Sequence, residues 1–389
     1  MRVVELEARH VRIPMRRKIT HATHSRTETD NLIVRCTLGD GSTGYGEGVP
    51  RDYVTGETID FTLDLLRKSD LAAQLVPCAD FEQVVHAAER LRLAAVPGDD
   101  RMIHGNAARC AVELAYLDAF GRAFGEPLMN VTKMIAPDLY EPRDRVQYSG
   151  VITKAKGAKA RVYPLIMRVV GFRDMKLKVG IPGYDDVKRT GVIRRWAGRK
   201  MDIRIDANEA WRPDEVAERV RELEPYRISS VEQPVRHEDV AALAAVRKQV
   251  SVPFMLDESL CGMVDAERAA AGGWCDLFNL RLSKCGGFIP TVRLAEFAAR
   301  HGLGYQLGCQ VGETGILSAA GRHFATSVKG IRHLEGSYDR HLVLERLTAE
   351  DLTFRPGGWA PMLVGSGLGA HVDPARVDAV TVRKEILIG

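Results

Sequence analysis

Three acidic residues each close a short apolar run at nearly constant spacing: Asp206 after 202–205, Glu232 after 229–231 and Asp257 after 254–256. The acids stand 26 and 25 residues apart. Any one of them could cap a following helix. Recurring together at that pitch, they read as three carboxylates brought to one place, where without a counter-ion they repel and their pKa values rise. An all-oxygen donor set with no Cys or His beside it suits a hard divalent ion, Mg2+ or alternatively Mn2+. Upstream, Lys176-Leu177-Lys178 alternates, so that in a strand both ammonium groups face the same way. Two like charges held close lower each other's pKa, which moves one lysine toward use as a base. A divalent ion beside a lysine base suits removal of a proton from the carbon next to a carboxylate, with the ion stabilising the enediolate that forms.

Groups so far apart in sequence meet only if the chain repeats a unit that returns each strand to the same end. Short apolar or β-branched runs recur at 146–152, 174–179, 202–206, 229–232, 254–257, 277–282, 304–309 and 331–335. Helical stretches such as 213–223, 238–248, 264–271 and 290–301 fill the gaps. Eight strand-plus-helix units predict a (β/α)8 barrel, an α/β fold whose chemistry lies at the C-terminal ends of the strands. An open doubly wound sheet is disfavoured, because no GxGxxG follows the early strands.

Ahead of the barrel, 3–8, 31–38 and 42–48 read as antiparallel strands and 58–68 and 81–94 as helices. A longer helix is predicted from Asn106, taken as its N-cap, to the Gly125-Glu126-Pro127 stop. The expected organisation is an α+β capping domain over 1–130, a barrel over 131–350 and a C-terminal segment, 351–389, returning to the capping domain.

Composition narrows the function. The 389 residues are 45% hydrophobic and 27% charged, with 55 Lys and Arg against 51 Asp and Glu. That balance offers no electrostatic case for nucleic acid as a partner. No run approaches a membrane span, the first fourteen residues lack the apolar stretch of a signal, and no membrane partner is expected. Seven cysteines without a CxxC pair argue against a disulfide framework, so a cytoplasmic protein is expected.

The ordered set Lys176-x-Lys178, Asp206-Ala207-Asn208, Glu232-Gln233-Pro234 and Asp257-Glu258-Ser259 resembles the enolase superfamily, in its muconate lactonizing enzyme subgroup. Tyr45-Gly46-Glu47-Gly48 and the 107–121 helix resemble that family's capping domain, and Lys284-Cys285-Gly286-Gly287 its sixth barrel unit. The resemblance implies Asp206, Glu232 and Asp257 as Mg2+ ligands, Lys178 as acid/base and Lys176 as the neighbour that tunes it. It implies Asn208 and Glu258 as orienting groups beside the ligands. Capping loops, 20–30 with His21 and 50–56 with Tyr53, would close over a small-molecule carboxylate substrate. A homo-oligomer is also implied.

Two departures shape the expected reaction. The subgroup's sixth-strand lysine is replaced by Arg281 in Asn279-Leu280-Arg281-Leu282. A guanidinium stays protonated and cannot act as a base, although it can neutralise an enolate or clamp a carboxylate. The expectation is therefore a one-base reaction at Lys178, most like a muconate-type cycloisomerisation. A syn elimination like that of o-succinylbenzoate synthase and an N-acylamino acid racemase activity are alternatives, as is a metal-loaded carboxylate-binding protein that lost catalysis. At the eighth strand, His333-Leu334-Glu335 stands where similar dipeptide epimerases carry Asp-x-Asp, which argues against dipeptides. Glu313, His333 and Glu335 are expected as substrate contacts.

Overall fold

A computed structural model describes residues 1–20 and 25–389. Its first layer is an antiparallel sheet of β1 (Val3–Thr20), β2 (Ser25–Leu38) and β3 (Thr43–Gly48). The polar stretch expected as a loop over 20–30 is largely strand, because β1 and β2 pair as one long hairpin out to Thr20 and Ser25.

The 106–124 helix lies across this sheet, and β3 is shaped to take it. Gly44, Gly46 and Gly48 alternate along the face that meets the helix, and a Cβ at Gly46 would stand 2.0 Å from the Ala111 carbonyl oxygen. Only glycine allows this approach of strand and helix backbones. The helix starts at Asn106, but its N-cap is Gly105, not Asn106. The Asn106 carboxamide instead donates to the carbonyls of Cys261 and Lys284 (2.8 and 2.6 Å), tying this helix to the barrel.

The stretch expected as one strand over 146–152 divides into β4 (Arg145–Gln147) and β5 (Gly150–Ile152). The second of these opens a parallel sheet of eight strands in sequential order. The rest are β6 (Asp174–Lys178), β7 (Asp202–Asp206), β8 (Ile228–Glu232), β9 (Phe254–Leu256), β10 (Leu277–Leu280), β11 (Gly304–Leu307) and β12 (Ile331–Leu334). The sheet curls until its ends meet, where the Ser149 N–H donates to the Leu334 carbonyl at 2.8 Å. This is the predicted α/β barrel.

After the barrel, β13 (Trp359–Pro361) pairs with β4, and β14 (Thr381–Ile388) adds an antiparallel edge to β1 in the first sheet. Among the described residues, no helix is long and apolar enough to cross a membrane.

Candidate active site

Register brings the first groups together. In the parallel pairs, Lys176 lies beside Arg204, Lys178 beside Asp206, and Asp206 beside Glu232. Partners in register share a face of the pleat, so Lys178, Asp206 and Glu232 form one row at the carboxyl end of the barrel. Asp257 follows β9 in the next position. Asp206, Glu232 and Asp257 are fully buried.

Lys178 Nζ lies 2.8 Å from Asp206 Oδ2 and also donates to Asn208. Lys176 sits one layer deeper, with Nζ 2.8 Å from Glu335 Oε2 and 3.3 Å from both Glu232 Oε1 and Asp206 Oδ2. Burial opposes its charge, but Glu232, Glu335 and Asp206 outweigh that and push its pKa up. The sequence expectation that the lysine pair would lower each other's pKa fails at Lys176, because three carboxylates surround it.

The acids divide by their neighbours. Burial would raise Asp206, yet Lys178 and Lys176 hold it well below the usual carboxylate range. Glu232 is pushed up to about 7, by burial and then by Asp206. Asp257 is held down, against burial, by Arg281 and Lys284. Glu258 rises to about 8 through burial and the adjoining Asp257. Its Oε1 accepts from Asn208 Nδ2 at 3.2 Å, while its buried Oε2 has no partner.

Arg281 follows β10, the sixth barrel strand, across the ring from β6, the second. Its Nη2 is bonded to Asp257 Oδ2 and its Nη1 donates to Gln310 Oε1 at 3.0 Å. Lys284 is no free base. Its Nζ is bound to the carbonyls of Asp257 and Asn279 and to Asp257 Oδ1, at 2.7 to 2.9 Å.

These donors suit a hard divalent ion by their chemistry. They are three buried carboxylates on consecutive strand ends, with an unpartnered Glu258 oxygen alongside and two acids, Glu232 and Glu258, driven up by burial and then by neighbouring negative charge. As the side chains stand, no three acids among the described residues form a ready cage. Lys176, Lys178, Arg281 and Lys284 hold the same oxygens.

The other expected contacts scatter. Glu313 Oε1 accepts from the Gln310 N–H at 2.6 Å, and burial pushes its carboxyl up to about 8. With Glu335, Tyr148, Ser318 and Ser337 it lines a narrow cavity between the ends of the last strands. Glu335 itself turns into the barrel, bound to Lys176 and Arg204. His333 Nε2 lies 2.9 Å from Asp202 Oδ2. Asp202 is the first residue of its strand, so His333 faces the end of the barrel away from the mouth. Tyr53 lies beneath the Arg26 guanidinium, 5.3 Å from ring centre to Cζ. His21 lies outside the described residues. A more open cleft, about 420 Å3 between Lys248 and Asp276, holds none of these groups.

Sequence reasoning missed Arg204, Gln233 and Asn279. Arg204 is fully buried between Glu335 and Asp174. Its place two residues before Asp206, on the same face of the strand, was the available signal. Gln233 Oε1 accepts the N–H groups of Asp257 and Ser259, aiming the neighbouring strand end. Asn279 Nδ2 donates to Glu232 Oε1 at 2.8 Å. Asn208, Glu209 and Gln233 all have positive φ, so strained backbone follows two of the three acid-bearing strands.

Comparison with known proteins agrees with this architecture. Residues 3–132 match the mandelate racemase / muconate lactonizing enzyme N-terminal domain, and residues 165–376 match the enolase C-terminal domain-like family. The chain belongs to the enolase superfamily and is an enzyme, and the relatives it resembles are racemases and epimerases. A hydrophobic dipeptide epimerase of Enterococcus faecalis is 28% identical over 85% of this chain and 89% of its own. An N-succinyl-L-Arg/Lys racemase of Bacillus cereus is 28% identical over 86% and 87%. The crystal structure of the Bacillus cereus racemase superposes with a TM-score of 0.85 at 25% identity, covering 99% of this chain and 100% of that one. A Cytophaga hutchinsonii dipeptide epimerase, complexed with Mg and the dipeptide D-Ala-L-Val, gives 0.84 at 25% identity over 100% of both chains.

Proposed function

We propose that this enzyme removes or delivers the proton α to the carboxylate of a small substrate, from one face, with Lys178 as the acid/base and Mg2+ as cofactor. The observation that carries the reading is the opposition of Lys178 and Arg281 across the mouth, each bonded to a different acid of the Asp206, Glu232, Asp257 set. Those three acids would hold the ion. When bound, it supplies a charge that holds the substrate carboxylate and stabilises the negative charge developing on it.

The chain's own groups do the rest. Lys178 is at the end of its strand, where its ammonium reaches the mouth, and Asn208 orients it. Lys176, kept charged by three carboxylates, fixes positive charge beneath it. Arg281 faces the opposite side of the substrate and accepts no proton there. One base on one face suits a cycloisomerisation of the muconate kind or a syn elimination.

A second reading, racemisation of an N-acylated amino acid or epimerisation of a dipeptide, is favoured by what the relatives act on. It requires a proton donor on the Arg281 face. The test is deuterium uptake in D2O with Mg2+ over a pool of muconates and their lactones, N-acyl amino acids, dipeptides, succinylbenzoate precursors and sugar acids. Mass change or exchange in one member, lost in Lys178→Ala, supports the proposal. Exchange that survives Lys178→Ala overturns it. A product of both configurations, each deuterated, selects the second reading.

A further inference from the structure

The helix Lys159–Val170, first of the barrel's outer ring, is apolar on two sides. Ala160 and Pro164 are buried and Met167 packs on the core. On the opposite side, Val162, Tyr163, Ile166, Val169 and Val170 are exposed, Ile166 by 52% and Val169 by 76%. Their spacing places them in one stripe. A contiguous apolar stripe on the outer side of a helix marks a contact surface, whereas scattered single exposures need no explanation.

The charge around the stripe says what covers it. Residues 153–173 carry Lys154, Lys156, Lys159, Arg161, Arg168 and Arg173 and no acid, whereas acids outnumber bases in the rest of the chain. Among the described residues none of the six forms an ion pair, and Lys156 and Arg173 lie over the rings of Tyr184 and Trp359. The next acid, Asp174, is turned toward the barrel and bound to Arg204 and Ser149. A two-fold copy of the chain packed here would set six cations against six. Nucleic acid would satisfy the cations but not the aliphatic centre. A surface presenting acidic head groups around hydrocarbon satisfies both at once.

We propose that this face docks the enzyme on an anionic lipid surface, with the Val162–Val170 stripe entering the head-group boundary and the unpaired cations meeting lipid phosphates. This runs against the sequence expectation of no membrane partner, which rested on the lack of a spanning segment. It requires none.

The test is sedimentation of the full chain with vesicles of phosphatidylcholine, alone or with about 30% phosphatidylglycerol. Partitioning at least about tenfold stronger onto the acidic vesicles is expected, and weakened by salt. The double variants Ile166→Glu/Val169→Glu and Arg161→Glu/Arg168→Glu should each lower it by about tenfold or more. Both pairs lie on the outside of the barrel, so circular dichroism and turnover should stay as in the parent. Equal partitioning onto neutral and acidic vesicles overturns the proposal. So does an oligomer that Ile166→Glu/Val169→Glu converts to monomer while the parent ignores both vesicles, since the face then belongs to a second copy.

Discussion

The Glu47 carboxylate, on the last strand of the N-terminal sheet, accepts the Thr314 N–H at 2.9 Å and the Thr314 hydroxyl at 2.8 Å. It also accepts the Leu317 N–H at 3.0 Å and Asn31 Nδ2 at 2.7 Å. Glu47 therefore caps the barrel helix Gly315–Ser327 from another layer of the molecule. Glu113 does the same for the helix Phe288–Arg300, accepting the N–H groups of Phe288 and Ile289. Two helix N-termini after consecutive barrel strands are thus closed by acids of the N-terminal layer. The mouth lies beneath that joint.

Glu47→Gln should accordingly cost about 1–3 kcal/mol, because an amide has one acceptor oxygen for donors that now share two. Thermal unfolding would measure it. A loss confined to turnover, with stability unchanged, would contradict a capping role.

How much of this was open to sequence reading depends on the range of the contact. Strand-end acids at a steady pitch and a Lys-x-Lys alternation state their positions locally, because parallel strands in register align their ends. The Arg204–Glu335 and Lys176–Glu335 pairs span the barrel, and no local pattern announces them. Residue type alone makes Asn106 an N-cap candidate, whereas its carboxamide serves two barrel carbonyls. His333 faces inward as alternation requires, but alternation does not say which end of the barrel it serves. Arg281 was legible as a departure, and its bond to Asp257 was not.

His323 offers a pH signature of the same joint. It is fully buried with Nε2 3.0 Å from the Leu368 carbonyl, and burial lowers its pKa to about 4. The unfolded chain takes up a proton near pH 6.5 that the folded chain refuses, so stability falls as pH drops from about 6.5 to about 4. Buried Glu47 and Glu57, each raised to about 7, act in the opposite sense. The comparison with His323→Gln isolates the histidine: the difference between parent and variant should shift by roughly 2 kcal/mol or more across that window. Chemical denaturation at several pH values reads it, and a pH-independent difference would refute it.

Mg2+ should stabilise the folded chain by about 2.7 kcal/mol at a hundredfold excess over Kd. EDTA should reverse the gain, and Asp206→Asn should abolish most of it. Thermal shift against metal concentration is the measurement. An unchanged Tm would mean that the carboxylates serve only their internal cations.

Arg281→Lys is the substitution that separates the two reactions. Arg281 remains charged, since Asp257 and Glu258 outweigh burial, and no proton leaves it at working pH. A lysine there keeps a cation near Asp257, loses the forked reach to Gln310, and can release a proton to solvent. The parent should exchange the α-proton of its substrate from one face only. The variant should add exchange from the other by at least about tenfold over the parent's background, one order of magnitude being about 1.4 kcal/mol of barrier. Chiral separation of deuterated product in D2O distinguishes the faces. If the parent already exchanges both, a proton donor other than residue 281 serves the second face, and the one-base reading fails. If the variant loses turnover without gaining exchange, the guanidinium itself holds the substrate, and the reaction depends on its forked reach rather than on its inability to act as a base.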